Sequence, residues 1–435
     1  MPMNQVSTPL PPWEVPPNYQ AVDSKIPGIT VYAPVQAKSE AEAPVTFKCP
    51  QCGASTRYDV AAGGVACEHC GFQTQANGQQ VGRQAEKLEF TLETVAKAEQ
   101  GWGTGRMELH CDSCGASLAV ENKALSITCP FCASNRVNLR QAAEDQLRPR
   151  FLIPFKIPVE NNRRLAKEWL SKGWFHPDTL GQSSVLDRFL GIYLPFWTFN
   201  CHIQADWKAE VGYERTERYY DSSSKEWKSR TVIDWRWENG RVNVQLEDWL
   251  ISGSSHISKR ILGRIQPFDL GDLVAYLPDY LAGWQAHAYD IPLTQAWEEG
   301  KSQMREKARD TCYADISSSH VRNFTMVADF ADESWRYVLL PVYLASYKFE
   351  DKVYQVMING QTGTIAGQKP VAWWKVWLAI AAMLTPGVLG GLISLPLLLA
   401  GGVGAITLVI SFIVLGIGAA FAISLYRKAV DSEAA

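Results

Sequence analysis

The sequence of 435 residues predicts a multidomain α+β protein closed by a two-helix transmembrane hairpin, and three observations carry that reading. A CxxC–x14–CxxC unit is written twice, at Cys49–Cys70 and at Cys111–Cys132. A long middle stretch rich in Trp and Tyr mixes β-like runs with two helical periods. From Val376 to Tyr426, 51 consecutive residues carry no Asp, Glu, Lys, Arg or His. The length exceeds one ordinary core, so two or three domains are expected. The 16 Trp, 16 Tyr and 16 Phe argue against a largely disordered chain.

Residues 1–45 hold nine prolines among Ala and Ser without a sustained hydrophobic period, so a Pro-rich disordered arm is expected there. The opening residues show neither the basic region nor the apolar run of a secretory signal. Eight of the ten cysteines lie in CxxC pairs, and in a reducing compartment such pairs serve as metal ligands rather than disulfides.

Residues 46–80 and 106–140 read as two zinc ribbons joined by a linker over 81–105. A CxxC turn brings two thiolates to one ion, and a second turn completes a tetrahedral four-sulfur site that suits Zn2+. The expected ligands are Cys49, Cys52, Cys67 and Cys70 in the first unit, and Cys111, Cys114, Cys129 and Cys132 in the second, giving two zinc ions per chain. Gly53, Gly71 and Gly115 each follow the second Cys of a pair, where the turn calls for positive φ; Ala133 departs from the pattern. His69 and His110 are read as neighbours of the sites, not ligands. With four protein ligands each, the sites are closed and structural. Lys48 and Arg57 balance Asp59 and Glu68 in the first ribbon, and residues 106–140 carry four basic against three acidic side chains. Neither ribbon has the basic patch that phosphate binding requires, which disfavours nucleic acid as a partner.

Residues 150–368 form the aromatic-rich α+β middle domain. Its β-like runs include FLGIYLPFWTFNCHI, TVIDWRWENGRVNVQL and RYVLLPVYLASYKF. Helices are expected over Val159 to about Lys172 and over Leu293–Ile316, where Trp297, Met304, Ala308 and Cys312 recur at helical spacing. Asn359-Gly360, between two apolar runs, predicts a hairpin turn with positive φ.

The uncharged tail is too long for one span, since a single helix would reach about 75 Å against a hydrocarbon core of about 30 Å. The break falls at the Gly401–Gly404 region, leaving spans over 376–400 and 404–426 and a cytosolic tail over 427–435. Lys369, Lys375, Arg427 and Lys428 flank the pair and the short connection carries no charge, which places both termini in the cytoplasm and the protein in the inner (cytoplasmic) membrane. Trp373, Trp374 and Trp377 fall where an interfacial aromatic belt belongs. Gly387-x3-Gly391 and Gly416-x3-Ala420 have close-packing spacing, although the general enrichment of Gly in membrane helices is the simpler account.

No catalytic residues are assigned. The Gly300-Lys301-Ser302 run lacks the earlier glycine of a phosphate-binding loop, position 295 being Gln, and it lies within a predicted helix. His176, His202, His256, His287 and His320 are scattered, with no nucleophile motif near them, and Cys201 and Cys312 read as small buried apolar residues.

Taken together, the paired ribbons, QGWGTG at Gln100–Gly105, IPFKI at Ile153–Ile157, GIYLPFWTF at Gly191–Phe199, the run Leu339–Pro370 and the apolar tail resemble a bacterial family of membrane-anchored proteins with tandem TFIIB-type zinc ribbons, often labelled primosomal replication-restart helicase-like. The eight Cys are the residues that map onto it. Some relatives are encoded beside envelope-stress proteins and work with them, so the resemblance implies a membrane scaffold or recruiter. The expectation is therefore a non-enzymatic protein that presents cytosolic ribbons and a middle domain to cytosolic or membrane protein partners, with the bilayer holding its tail. The alternatives are a membrane-associated nucleic-acid binder and an enzyme with its site in the middle domain.

Overall fold

A computed structural model of the protein describes residues 19–22, 31–34, 47–89, 107–120, 129–132, 134, 136–141, 147–178, 180, 189–349, 352–398 and 403–434. The chain forms two units, residues 1–44 and 45–435. In the first, β1 (Tyr19–Val22) and β2 (Val31–Pro34) pair antiparallel. The arm expected to be disordered thus holds one short ladder, formed where Tyr and Val interrupt the prolines and favour extended pairing.

The second unit begins with a small antiparallel sheet, β3 (Arg57–Asp59), β4 (Gly64–Ala66) and β5 (Gln73–Gln75). The chain then enters the body of the protein earlier than the predicted linker implies. Val81 and Gly82 donate backbone hydrogen bonds to the Leu273 carbonyl, and β6 (Leu88–Glu89) joins the main sheet. The rest of the expected linker lies outside the described residues. The second ribbon supplies β7 (Met107–Cys111), β8 (Ser117–Val120) and β9 (Val137–Gln141). Next come β10 (Phe151–Leu152) and helix α1 (Val159–Ser171).

The main sheet is built on three long antiparallel strands. These are β11 (Leu190–Asp221), β12 (Glu226–Ser252) and, after α2 (Lys259–Ile265), β13 (Val274–Ala275), β14 (Gln285–His287) and α3 (Leu293–Asp315), the strand β15 (His320–Phe349). β11 lies between the other two. With 32 residues it runs about 100 Å along its length. Such lengths accumulate twist, and three β-bulges bend the strands and sharpen it locally: Asp248 on β12 and Asn323 and Asp332 on β15 each sit at a register shift against β11, with φ of 57°, 52° and 54°. Asp and Asn are the side chains that tolerate this left-handed backbone best.

The two faces of β11 pack differently because its side chains alternate. Phe199, Cys201 and Trp207 face α3, whose buried stripe includes Trp297, Met304, Ala308 and Cys312, as the helical period predicts. Phe199 and Trp297 rings lie 5.2 Å apart and Cys201 Sγ is 3.4 Å from Met304 Sδ. Cys201 and Cys312 are both buried in this core. Ile192, Leu194 and Phe196 point the other way, into a core shared with Ile261, Leu262 and Ile265 of α2. Beyond Gly212, β11 and β12 continue as a two-stranded arm with exposed Tyr220 and Trp227 near its tip.

β15 also pairs with β16 (Lys352–Asn359), which pairs with β17 (Ile365–Gly367). The predicted hairpin is present, but its glycines play other parts than expected. The positive φ, 78°, belongs to Gly363, and Gly360 is needed because a Cβ there would lie 2.5 Å from the Phe155 ring.

The tail forms α4 (Trp373–Leu398) and α5 (Val403–Ala434). Both are long and apolar enough to cross a bilayer, and only 11% of the most apolar stretch of each is buried within the protein. Gly401 and Gly402 of the predicted break lie outside the described residues; Gly404 is already helical. Of the spaced glycines, Gly387 packs against Leu415, whereas Gly391 and Gly416 face open space; Gly418, outside both motifs, packs against the Met383 carbonyl. Residues 427–434 continue α5 as helix and dock on the domain. The Ser432 carbonyl accepts from Lys369 N, and Glu433 accepts from Lys352, Tyr354 and Trp373. Both ends of the helix pair therefore meet the same domain.

Candidate metal centres

Each ribbon begins with a turn whose geometry follows from its sequence. In the first, Gly53 N donates to the Cys49 carbonyl and Cys49 N to the Ala54 carbonyl; Gly71 and Cys67 repeat the pattern on the opposite strand. The second ribbon repeats it at Cys111, Gly115 and Ala116, and again where Cys129 N donates to the Ser134 carbonyl. Gly53, Gly71 and Gly115 all adopt positive φ, 71°, 78° and 79°, as their position predicts. Ala133, which stands where a fourth glycine would, lies outside the described residues.

The turns bring the sulfurs together in two sets of four. Cys49, Cys52, Cys67 and Cys70 form one set and Cys111, Cys114, Cys129 and Cys132 the other, with all four Sγ atoms of a set within 4.8 Å of one another. Cys49 and Cys70 sulfurs lie 3.4 Å apart, and Cys52–Cys67, Cys111–Cys132 and Cys114–Cys129 are each 3.6 Å apart. Metal–sulfur bonds of about 2.3 Å in a tetrahedron would separate sulfurs by about 3.8 Å, so each set fits one ion. None of the ten cysteines forms a disulfide. His69 is exposed, and His110 turns its Nδ1 to Ser117 Oγ at 3.2 Å, so neither enters a set.

The sets are prepared electrostatically in the same way. Burial pushes the Cys49 thiol up, but the backbone N–H groups of Cys52 and Gln51 and the neighbouring sulfurs outweigh it and bring it down to about 7. In Cys111, burial is likewise outweighed by the N–H groups of Cys114 and Ser113 and by the Cys132 and Cys114 sulfurs, again to about 7. Burial raises Cys114 to about 11 and lifts Cys129 as well. One cysteine per set is thus ready to ionise, and the charge of an ion would draw the protons from the others.

The surroundings of the two sets differ. The first hangs on the domain through Tyr58, whose ring lies 5.4 Å from Tyr280 and whose N–H donates to the Ala282 carbonyl, while Cys52 and Cys70 stay exposed. The second is built into the core. β8 pairs with β14, which pairs with β11, so the ribbon's strands extend the main sheet. Phe131, between Cys129 and Cys132, is 3% exposed; its ring lies 5.0 Å from His287 and its carbonyl accepts from Gln355 and Ser346.

This seam gathers residues that look scattered in the sequence. His287 Nδ1 donates to the Ser117 carbonyl at 2.5 Å, which leaves Nε2 to accept from Ser254 Oγ at 2.8 Å. His256 Nε2 lies 2.9 Å from Asp290 Oδ2. His287 and Ser254 are each 1% exposed, and burial lowers the His287 pKa to about 4. A neutral imidazole thus joins ribbon and domain. The three segments that supply these groups are far apart in the chain, so no local motif announces them.

Gly300 is not part of a phosphate loop: it lies in mid-helix, where a Cβ would come within 3.2 Å of Phe199. Lys301 lies over the Phe330 ring at 5.1 Å. Of the flanking lysines, Lys369 donates to the Trp169 and Lys172 carbonyls at the end of α1, and Lys375 to the His176 carbonyl and Asp178.

The chain is 24% identical over 335 residues to YdjG, an uncharacterized protein of Bacillus subtilis strain 168, the match covering 76% of this chain and 92% of that one. No protein-family model and no solved structure matches the chain.

Proposed function

We propose that this is a zinc-binding membrane protein of the tandem-ribbon, membrane-anchored bacterial kind, acting as a non-enzymatic scaffold or recruiter for protein partners on the cytosolic face of the inner membrane. One observation carries the reading: the second ribbon's strands extend the domain's sheet, and both ends of the apolar helix pair dock on that same domain. Metal centre, domain and tail are one continuous body, as a platform fixed to a bilayer requires. Four-sulfur sets with no other ligand suit zinc held for structure. The chemically richest cluster outside them, Ser254 with His287, is sealed from solvent, which supports a structural role for it. Exposed Arg427 and Lys428, within the second helix just past its uncharged stretch, favour a cytosolic position for both ends. A role in envelope stress follows by analogy with the family resemblance.

The topology is tested with single cysteines in a zinc-loaded chain whose Cys201 and Cys312 are replaced, labelled by an impermeant thiol reagent in intact cells. Val403→Cys should label from outside and Ser432→Cys only after lysis; external labelling of Ser432→Cys would refute the arrangement. The scaffold role predicts that crosslinking in native membranes yields discrete partners that disappear when residues 46–80 are deleted. A pattern unchanged by that deletion would remove the first ribbon from the recruiting surface.

A further inference from the structure

Trp174 is 56% exposed, in the loop that leaves α1. Gly173 takes φ of 105°, and a Cβ on it would stand 2.6 Å from the His176 ring, so the loop is shaped around that histidine. His176 is buried and lies 2.9 Å, Nδ1 to oxygen, from the Pro370 carbonyl. Ala372 N donates to the Phe175 carbonyl at 2.9 Å, immediately before α4 begins. Lys375 Nζ, in the first turn of α4, donates to the His176 carbonyl at 3.1 Å and to Asp178 at 2.8 Å. The loop is therefore strapped to the start of the helix, and Trp174 directly precedes the strapped residues, its ring 5.8 Å from that of Phe175.

The start of α4 has a distinct chemistry. Trp374 and Trp377 are 66% and 57% exposed on α4. Tyr426 of α5 lies against Trp373 and Trp377, its ring 5.7 Å and 6.2 Å from theirs, and Arg427 and Lys428 follow it directly. Lys172 precedes the loop and is exposed. Exposed indoles with cations nearby in the sequence are side chains that favour the headgroup zone, where the ring meets apolar carbon and the N–H meets water and phosphate. We infer that the loop Gly173–Asp178 is a second, non-spanning foot of the domain on the bilayer, with Trp174 seated among the lipid headgroups beside Trp374 and Trp377. The bilayer is the occupant because the loop is hydrogen-bonded to Pro370, Ala372 and Lys375, where the first of the two apolar helices begins. This rests on the membrane reading of α4 and α5. Its consequence is orientation: a helix pair alone leaves the whole body free to tilt in the bilayer, whereas a second foot fixes the direction in which the long sheet and its exposed arm project.

The test uses the full chain in vesicles of phosphatidylcholine and phosphatidylglycerol, with Trp174, Trp227 or Ile413 replaced one at a time by an environment-sensitive fluorescent amino acid. Lipids carrying a spin label at the headgroup or deep in the acyl chain act as quenchers. Headgroup-labelled lipid should quench position 174 about twofold more than position 227 at the arm tip, and deep-labelled lipid should quench position 413 most. If position 174 is quenched no more than 227 while 413 is quenched by deep label, the loop stands in water and the inference is wrong, with the membrane hairpin intact. If 413 is also unquenched, the tail does not enter the bilayer and both readings fall.

Discussion

Phe131 and His69 occupy the same place in the two ribbons, the third residue of the second CxxC, and the structure gives them opposite energetics. His69 is exposed, and Phe131 is 3% exposed against His287 and His256. Truncating a buried Phe removes its transfer free energy and leaves a cavity, so Phe131→Ala should cost about 3–5 kcal/mol. For a protein whose whole stability is of the order of 5–15 kcal/mol, that is a large fraction. His69→Ala, on a surface turn, should stay within about 0.5 kcal/mol. The assay is thermal unfolding of the purified protein, paired with the rate at which a chelator strips each metal. Phe131→Ala should lower the unfolding midpoint and speed the loss of one ion, leaving the other as slow as before. His69→Ala should change neither. Equal effects from the two substitutions, or a loss confined to metal release with no change in the midpoint, would refute the claim that the second ribbon is part of the core.

Protonation of His287 gives a pH signature: its pKa falls from 6.5 to about 4 on folding, so the unfolded chain binds the extra proton and stability drops as pH falls from about 6.5 towards 4. The loss should reach about 3 kcal/mol, and His287→Gln should flatten that part of the stability–pH curve; an equally steep curve in the variant would assign the loss elsewhere. Asp248 faces Arg336, whose side chain is 1% exposed, so Asp248→Ala should destabilise by about 3–5 kcal/mol in denaturant titrations by leaving a buried guanidinium without its carboxylate. Gly300→Val should overpack the contact with Phe199 and cost about 1–3 kcal/mol in the same titrations, while Lys301→Ala should cost no more than about 1 kcal/mol. The reverse ranking would mean that the helix face has been misread.

What the sequence revealed and what it hid follow from the range of the interactions. The cysteine sets rest on turns closed within a few residues, so spacing and the glycines at 53, 71 and 115 are enough to find them. The α1 and α3 periods are equally local, and Trp297, Met304 and Ala308 line up as buried. The length of β11 was hidden because its far end, from Tyr213 to Asp221, is largely exposed on both faces and loses the alternation that marks a strand. The ribbon–core seam was hidden because Ser117 meets His287 only through the pairing of β8 with β14, across 170 residues of sequence, and Ser254 joins them from a third segment. One clue was in plain sight: CEHC and CPFC differ in polarity at the residue that decides which ribbon is buried. The hairpin after β16 shows the remaining limit. Asn359-Gly360 has the composition of a tight turn, but the contact with Phe155 that fixes Gly360 comes from a distant segment.

The central claim is that both cysteine sets hold zinc, and metal analysis of the full-length protein purified without added metal addresses it most directly. Four sulfurs within 4.8 Å in each of two sets predict about two zinc ions per chain and eight thiols shielded from a thiol reagent until a chelator is added. Less than one zinc per chain, with all eight cysteines reacting freely in the folded protein, would contradict it.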